Sequence, residues 1–199
     1  MSRTQLVALL EALAAGSVVG VPTDTVYGLA VDPSRHGAVE RVFALKQRPE
    51  HFALPVLLGD PREAEDLAEL GPAAGRLIER YWPGPLTLVL PRRPGSGPKL
   101  GGDPTTIGLR CPADPLVRGL LRLSGPLAVT SANRHGEAPL HSAKEVRERF
   151  GTGVAAVLDG GRCDGVSSTV ISLIGPEPEC LREGALDLGE IVAVAATGR

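Results

Sequence analysis

Hydroxyl, carboxylate and phenol groups are crowded into one segment near the start of the sequence. The segment Pro22-Thr-Asp-Thr-Val-Tyr-Gly-Leu29 follows an apolar run and includes Thr25. Hydroxyls in such a segment could bind a small polar substrate. Ser, Thr and Asp also hydrogen-bond their own backbone in turns, so this segment alone leaves both interpretations open.

Two cations, Lys46 and Arg48, follow a helix-like pattern and precede Pro49. The helix dipole by itself favours cations at a helix C-terminus, so the pair could serve helix stability only. Pro49, however, disfavours a helical conformation at Arg48, which lets this guanidinium extend away while Lys46 stays on the last turn. Two cations placed in this way can bind a polyphosphate from two directions.

Further polar groups share one face of predicted strands or follow their ends. Thr106, Gly108 and Arg110 alternate with apolar residues and therefore share one face of a strand. Ser131 and Asn133 follow an apolar run and would point the same way if the strand continued. They offer a hydroxyl and an amide, which both donate and accept hydrogen bonds.

Two later segments repeat this arrangement of a polar group beside an apolar, β-rich run. They are Val166-Ser-Ser-Thr-Val170, which contains Ser168, and Leu181-Arg-Glu-Gly184, which contains Arg182. Open α/β sheets bind ligands at the ends of their strands. Five such segments in one chain predict a shared cleft.

Several common catalytic motifs are absent from the sequence. No lysine is followed by Ser or Thr, which excludes a P-loop, and the four histidines show no HExxH spacing. The cysteines Cys111, Cys163 and Cys180 are widely separated and form no CxxC pair, which argues against a zinc site or a disulfide framework. We therefore expect no protein-held metal.

The elements that must position these residues alternate between strands and helices. An amphipathic helix with leucines at 6, 9, 10 and 13 follows a capping residue, Ser2. The patterns predict further helices over residues 36–46, 62–70, 73–81, 115–123, 143–150 and 188–195. They predict strands over residues 17–21, 55–58, 86–90, 105–110, 127–130, 155–158 and 168–174.

This alternation predicts one α/β (α+β) domain over residues 1–199, with a mixed sheet flanked by helices. The connection from 158 to 168 is too short for a helix, so we expect antiparallel neighbours there among otherwise crossover-linked strands. The segment 92–103, rich in Gly and Pro, is either a mobile loop beside a site or a long hairpin connection.

Composition limits the function classes. The 199 residues are 43% hydrophobic and 22% charged, which is typical of a globular protein. A net charge of −2 and an aromatic content of 3% argue against a nucleic-acid-binding surface built on base stacking. No apolar run is long enough to span a bilayer. With the scattered cysteines, this predicts a cytoplasmic protein without a membrane partner.

Taken in order, these segments resemble the YrdC/TsaC family of threonylcarbamoyl-AMP synthases. The resemblance covers nearly the whole chain, and the ordered set of segments is far more specific than any one of them. The matching segments are Pro22 to Leu29, Lys46-Gln-Arg-Pro49, Trp82-Pro-Gly-Pro-Leu-Thr87, Gly108-Leu-Arg-Cys-Pro112, Thr130-Ser-Ala-Asn133, Ser168-Thr-Val170 and Leu181-Arg-Glu-Gly184.

The resemblance implies a twisted mixed sheet curved around a basic cavity, in the single-domain bacterial form of the family. It implies ATP, L-threonine and bicarbonate or CO2 as substrates, Mg²⁺ accompanying the phosphates, and threonylcarbamoyl-AMP and pyrophosphate as products. Partner proteins would then transfer the threonylcarbamoyl group to adenosine 37 of tRNA. The chemistry needs positioning and charge neutralisation rather than an activated nucleophile.

The resemblance also implies roles for individual residues. Lys46 and Arg48 would carry catalysis by neutralising phosphate charge. The implied ATP-binding residues are Lys46, Arg48, Thr106, Ser131, Asn133, His141 and Arg182. The implied threonine-binding residues are Thr25, Arg110, Ser131 and Ser168, with Arg110 on the carboxylate.

The chain departs from the family at two places, and two other functions stay open. Phe52-Ala53 stands where the family often has a small polar residue or lysine and then proline, and His141 replaces a frequent Ser or Thr.

One alternative function is that of an RNA-binding module, to which weak tRNA binding would belong. The net charge and the low aromatic content weigh against it. The other is a paralogue that acts on a different carbamoyl-type substrate.

Overall fold

The computed structural model describes residues 3–196 of the chain. The predicted cap at Ser2 lies outside the described residues. Two 3₁₀ turns, Pro61–Glu63 and Gly151–Gly153, accompany the helices. The helices are α1 (Arg3–Ala14), α2 (Ala38–Lys46), α3 (Ala64–Leu67), α4 (Pro72–Tyr81), α5 (Pro115–Ser124), α6 (Ala143–Phe150) and α7 (Leu188–Ala196).

Within residues 3–196, nine strands form one mixed sheet in the order β7-β1-β2-β6-β3-β5-β4-β8-β9. The pairs β7/β1, β3/β5 and β4/β8 are parallel, and the other neighbours are antiparallel. The predicted mixed α/β architecture is therefore confirmed. The strands are β1 (Val19–Val21), β2 (Gly28–Val31), β3 (Val56–Leu57), β4 (Leu86–Pro91), β5 (Thr106–Arg110), β6 (Leu127–Ser131), β7 (Ala156–Val157), β8 (Thr169–Ser172) and β9 (Glu179–Arg182).

Helices cover the two faces of the sheet unequally. On the first face, Leu86, Leu88 and Leu90 of β4 join a large hydrophobic cluster with residues of α2, α4, α6 and α7. On the second face, α1 and α5 form a smaller cluster with β1, through residues such as Leu9 and Leu120. The part of the second face built by β4, β5 and β8 contributes polar side chains instead, and the site described below lies there.

Helix α5 illustrates how the local sequence sets these elements. The Asp114 carboxylate caps its N-terminus by accepting hydrogen bonds from the backbone N–H groups of Leu116 at 2.8 Å and Val117 at 3.0 Å. Val117, Leu120 and Leu121 are buried. Their i, i+3, i+4 spacing gives the helix one apolar face.

The predicted helix over residues 62–70 is shorter in the structure. A 3₁₀ turn occupies Pro61–Glu63, and α3 ends at Leu67. Ala68 is extended and forms an isolated antiparallel bridge with Arg92. Pairing with the strand end thus overrides the local helical pattern.

The antiparallel pairing expected across residues 158–168 is wrong. Strand β7 pairs with β1, whereas β8 pairs with β4 and β9, so the two strands lie near opposite ends of the sheet. The connection is held by the Tyr27 hydroxyl, which donates to the Gly161 carbonyl at 2.8 Å. It also runs so close to the segment after β1 that a Cβ at Gly165 would lie 2.7 Å from the Asp24 carbonyl oxygen.

No helix between residues 3 and 196 is both long enough and apolar enough to cross a membrane.

The hydrophobic cluster on the first face of the sheet predicts that alanine substitutions at Leu88 and at Leu123 change the free energy of unfolding by very different amounts. Leu88 is fully buried and Leu123 is 61% exposed. We expect Leu88→Ala to lower the free energy of unfolding by about 2–5 kcal/mol because it leaves a cavity. Leu123→Ala should change it by about 0.5 kcal/mol or less. Urea denaturation measures both values, and equal effects would contradict the assigned core.

Candidate active site

A cavity of about 380 Å³ lies on the second face of the sheet. Its volume falls within the range of roughly 300–1,000 Å³ that is usual for small-molecule sites. Its polar lining consists of Thr23, Thr25, Tyr27, Arg48, His51, Thr87, Asp103, Thr106, Arg110, Thr130, Ser131, Ser167, Ser168 and Arg182. Its apolar lining includes Val26, Phe52, Pro55, Leu57, Val89, Val129, Val170 and Leu181.

The pleat of β5 carries its polar residues to this cavity, as predicted. Thr106, Gly108 and Arg110 line the cavity, whereas Ile107 and Leu109 belong to the first-face cluster. The segment 92–103 connects the hairpin of β4 and β5, which confirms one of its two interpretations. Its last residues, 102 and 103, also line the cavity.

The end of helix α2 gives Lys46 and Arg48 different surroundings. Gln47 adopts a left-handed conformation with φ 52°. Its N–H donates to the Ala44 carbonyl, and the N–H of Arg48 donates to the Phe43 carbonyl, which closes the helix. Lys46 is therefore buried, at 1% exposure, whereas Arg48 lines the cavity.

The Lys46 ammonium joins helix α2 to the end of β6 and to the segment that follows this strand. Its Nζ donates to the carbonyl oxygens of Ser131 and Asn133, both at 2.6 Å, and to Asn133 Oδ1 at 3.1 Å. Burial and the charge of Arg48 lower the pKa of Lys46 to about 7. Three oxygen acceptors around Nζ favour the protonated form, because a neutral amine would offer one donor too few.

Asn133 faces this lysine rather than the cavity. Its N–H donates to the Ser131 carbonyl at 3.0 Å, which shows that the chain turns and the expected extension does not continue. The Asn133 Oδ1 accepts a hydrogen bond from Ser131 Oγ at 2.6 Å, and its Nδ2 donates to the carbonyls of Arg134 and Glu137. Ser131 therefore lines the cavity with its hydroxyl orientation set by Asn133.

The Arg110 guanidinium is 5% exposed and is held by three acceptors. Nε donates to the Gly84 carbonyl at 2.9 Å, Nη1 to Thr25 Oγ1 at 3.1 Å, and Nη2 to Asp24 Oδ1 at 2.6 Å. Asp24 Oδ1 also accepts the N–H of Ala113 at 3.1 Å. A guanidinium has five N–H donors, so each Nη keeps one donor for a ligand.

Ser168 organises the part of the cavity lining that includes Arg182 and Thr87. Arg182 donates from Nε and Nη2 to the Ser168 carbonyl at 3.0 and 2.9 Å, and from Nη2 to Ser168 Oγ at 2.9 Å. Thr87 Oγ1 lies 2.9 Å from the same Oγ. Strands β4 and β9, together with the residue that precedes the intervening strand β8, thereby present hydroxyls and a guanidinium together.

Three guanidinium groups make this cavity electropositive. Burial first, and then the charge of Arg182, lowers the pKa of Arg48, and burial followed by the charge of Arg110 lowers the pKa of Arg182. Arginine nevertheless stays protonated at neutral pH. Asp24 neutralises Arg110 in part, and within residues 3–196 the cavity lining includes one carboxylate, Asp103. The arrangement is suited to bind an anion.

The structure brings together most of the predicted site residues. His141, half-buried, lies elsewhere: its Nδ1 is hydrogen-bonded to the Cys163 carbonyl, and its backbone N–H donates to Glu145 Oε2 at 2.7 Å. Neither it nor Lys46 nor Asn133 lines the cavity. The predicted residues that do line it are Thr25, Arg48, Thr106, Arg110, Ser131, Ser168 and Arg182.

Three residues of the site are not among the binding residues that the sequence analysis names. Thr87 alternates with buried leucines along β4, so period-two spacing could have identified it. Asp24 lies within a segment already singled out, but its pairing with Arg110 requires the fold. Phe52 carries no periodic signal.

The residues that the structure describes contain no group of three or more His, Cys, Asp or Glu side chains that could hold a metal ion. Mg²⁺ is often held by one or two carboxylates together with substrate phosphates. The single carboxylate and the several hydroxyls of the cavity fit a magnesium ion that enters on a phosphate ligand rather than a resident one.

Comparison with known proteins identifies a family. The family model for Sua5, YciO and YrdC proteins, described as "Telomere recombination", matches residues 11–184. A Mycobacterium tuberculosis relative is 37% identical over 95% of this chain and 88% of its own length. A Bacillus subtilis relative named threonylcarbamoyl-AMP synthase is 38% identical over 89% of this chain and 52% of its own length.

A solved structure agrees with these relatives. The crystal structure of Pyrococcus abyssi Sua5 complexed with L-threonine superposes with a TM-score of 0.91 at 37% identity, over 98% of this chain and 58% of that one. This chain thus spans about half the length of the Bacillus and Pyrococcus proteins. With a family model that covers residues 11–184 and a matching fold, the chain belongs to the Sua5/YciO/YrdC family.

Proposed function

We propose that this protein is a threonylcarbamoyl-AMP synthase. It would make threonylcarbamoyl-AMP and pyrophosphate from L-threonine, bicarbonate or CO2, and ATP, and its product would serve threonylcarbamoylation of tRNA adenosine 37. The observation that carries the proposal is the set of three guanidiniums, Arg48, Arg110 and Arg182, around one cavity lined by hydroxyls. The name of the Bacillus relative and the threonine complex of the Pyrococcus protein support it.

The reaction requires two bond-forming steps. The threonine nitrogen attacks the carbon of CO2 and loses a proton, which gives a carbamate. A carbamate oxygen then attacks the α-phosphorus of ATP, and the bond to the β-phosphate breaks to release pyrophosphate. Negative charge builds on the leaving pyrophosphate, so preorganised cations accelerate this step most.

Arg110 is suited to hold the threonine carboxylate. Its two remaining Nη donors can bind a carboxylate in the bidentate manner that guanidinium groups favour. Asp24, Thr25 and the Gly84 carbonyl fix the plane of the guanidinium, so little side-chain entropy is lost when the ligand binds.

Arg48 and Arg182 are suited to the phosphates of ATP. Arg48 donates to the carbonyls of Phe52 and Ala53, and Arg182 to that of Ser168. These neutral acceptors orient each guanidinium without cancelling its charge. Lys46 would act as a positioning residue that fixes the Ser131 hydroxyl and adds its charge from behind the cavity.

Mg²⁺ would enter the site together with ATP. The proteins that use the product would be separate from this chain. The ion would offset the phosphate charge that Arg48 and Arg182 leave. Because an acyl phosphate anhydride hydrolyses readily, we expect tRNA-modification proteins to receive the product directly, in the cytoplasm. No observation on the cavity favours an RNA-binding module. One result of the tests below would nevertheless identify that function.

The first test is substrate dependence. We expect pyrophosphate release from ATP to require both threonine and bicarbonate, because the carbamate is the nucleophile. Serine lacks one methyl group, which in a fitted pocket lowers the rate by roughly 10- to 200-fold. Threonine-independent release would contradict the proposal. Salt-sensitive tRNA binding without ATP turnover would instead identify an RNA-binding module.

Arg110→Lys tests the threonine assignment. A lysine replaces a planar, bidentate donor with one point charge, so we expect the KM for threonine to rise while the KM for ATP changes little. Arg122→Ala, on the exposed surface of α5, serves as the control and should leave both constants unchanged. A rise confined to the KM for ATP would place Arg110 on the phosphates.

Lys46→Ala and Arg48→Ala should have different effects. Loss of the Lys46 ammonium removes one donor from three oxygens and takes from the Asn133 carbonyl the donor that it has. A buried acceptor without a donor costs roughly 1–3 kcal/mol, so stability and turnover should both fall. Arg48→Ala should keep stability and lower turnover by about a hundredfold. Lys144→Ala, whose side chain is 83% exposed, is the control. Urea denaturation and pyrophosphate release measure the two properties, and a fully stable Lys46→Ala protein would refute the positioning role.

A further inference from the structure

A second cavity, of about 360 Å³, lies on the first face of the sheet. Residues 32–35, which follow β2, and residues 96–98 of the β4–β5 connection surround it, together with the connection that precedes β6. Val56 of β3 and Ile107 of β5 line it from the sheet. We call it the rear cavity. Its volume is within the range of roughly 300–1,000 Å³ that is usual for small-molecule sites.

The rear cavity is separated from the active-site cavity by one layer of sheet. Among the described residues, none lines both cavities. Val56 and Ile107 line the rear cavity, whereas their neighbours Leu57 and Gly108 line the active-site cavity. Adjacent residues of a strand point to opposite faces, so β3 and β5 divide the two spaces. A ligand in the rear cavity would therefore occupy a site of its own.

The Arg92 guanidinium is held among the lining residues of the rear cavity. Its Nε donates to the Ser96 carbonyl at 2.9 Å, and its Nη2 donates to the carbonyls of Ser96 and of Pro98, the latter at 2.7 Å. These bonds use both N–H groups of Nη2. Within residues 3–196, Nη1 has no hydrogen-bond partner, so its two donors are available to a ligand.

The charge of this guanidinium is not balanced by a carboxylate. None of the ion pairs formed within residues 3–196 includes Arg92. Burial lowers the pKa of Arg92, but arginine stays protonated at neutral pH. Asp32, the carboxylate among the described lining residues, is paired with Arg35 Nε at 2.9 Å. The rear cavity therefore has one uncompensated positive charge.

The other lining groups leave Arg92 as the main anchor for an anion. Each of the three serine hydroxyls that line the cavity already donates to a protein oxygen. The acceptors are Asp32 Oδ1 for Ser34, the Arg93 carbonyl for Ser96 and the Gly125 carbonyl for Ser124. Much of the remaining lining is apolar and includes Val56, Leu67, Leu100 and Ile107. The cavity thus combines one free cationic group with an apolar surface.

We propose that the rear cavity binds a small carboxylate with an apolar body, and that the carboxylate accepts hydrogen bonds from Arg92 Nη1. Hydrogen bonds between a guanidinium and a carboxylate are among the stronger ones. One uncompensated charge matches a monoanion, and the Asp32 carboxylate disfavours a more highly charged group such as a phosphate ester. The apolar lining removes the body of the ligand from water. This binding requires neither ATP nor threonine, so it does not depend on the proposed function.

The test is a titration of the full chain, without ATP or threonine, followed by two-dimensional amide NMR. The probe is 4-phenylbutyrate, and we expect it to shift the amide signals of residues 32–35, 96–98 and 124–126. The amine 4-phenylbutylamine has the same body with the opposite charge and should not shift them. Acetate lacks the body and should bind at least about tenfold more weakly, because it buries little apolar surface.

Two variants locate the probe. Arg92→Gln removes the charge and should weaken 4-phenylbutyrate by about 10- to 100-fold, the scale of one hydrogen bond to a charged group. Ser124→Phe fills the cavity without a change of charge and should abolish the shifts. Arg93→Ala, at the exposed neighbouring position, is the control and should bind as the wild type does. If the free Arg92→Gln protein already has altered signals at residues 96–98, Ser124→Phe alone decides.

Several outcomes would overturn the proposal. Shifts confined to residues of the active-site cavity, such as 102, 103, 167 and 168, would show that the anion binds only there. Equal shifts with the amine would show that Arg92 does not select the ligand. Undiminished binding to Ser124→Phe would place the probe outside the rear cavity. Tighter binding of phenyl phosphate than of 4-phenylbutyrate would refute the preference for a carboxylate.

Discussion

Neutral oxygen acceptors hold the cationic side chains of the cavity in place and leave most of their charge uncancelled. Arg48 binds the carbonyls of Phe52 and Ala53, and Arg182 binds that of Ser168. Among the three guanidiniums, Arg110 also has a carboxylate partner, Asp24. Taking a charge partly out of water without a counterion is unfavourable. Arg48 is half-buried and Arg182 is exposed on β9, so an anionic ligand that binds both guanidiniums supplies the counterion that the protein lacks there. That constraint gives the cavity both its selectivity for anions and its preorganised geometry.

The uneven helix cover of the sheet makes room for this arrangement. Helices α1 and α5 bury the half of the second face near β1, and no helix of that cluster extends over β4, β5 and β8. On β5, the alternation that sends Ile107 and Leu109 into the first-face core sends Thr106 and Arg110 to the cavity. A one-residue change of register would exchange these two sets of side chains. The same pleat therefore supports the hydrophobic core and the binding surface.

Much of this organisation could be predicted from local patterns, and the exceptions have physical reasons. The apolar residues recur at helical spacing in five of the helices, which are α2, α4, α5, α6 and α7. In β5, polar and apolar residues alternate as a half-buried strand requires. Strand β9 is exposed along its whole length, so it lacks the alternation that identifies a strand. The pairing of β7 with β1 is non-local, and nothing in residues 158–168 specifies it. The inward direction of Lys46 depends on acceptors more than 80 residues away, which no spacing rule can supply.

The contact of Lys46 with the segment after β6 also determines how the cavity can deform. It ties the end of α2, and with it Arg48, to Ser131, so this side of the site moves as one rigid block. The other side is carried by β8 and the edge strand β9, whose four residues are all exposed and whose pairing contains a bulge between Val170 and Ile171. Few buried contacts restrain an edge of this kind, and such segments open at low free energy. We therefore expect the site to open on one side only: amide hydrogens of β9 should exchange with solvent before those of β5 and β6.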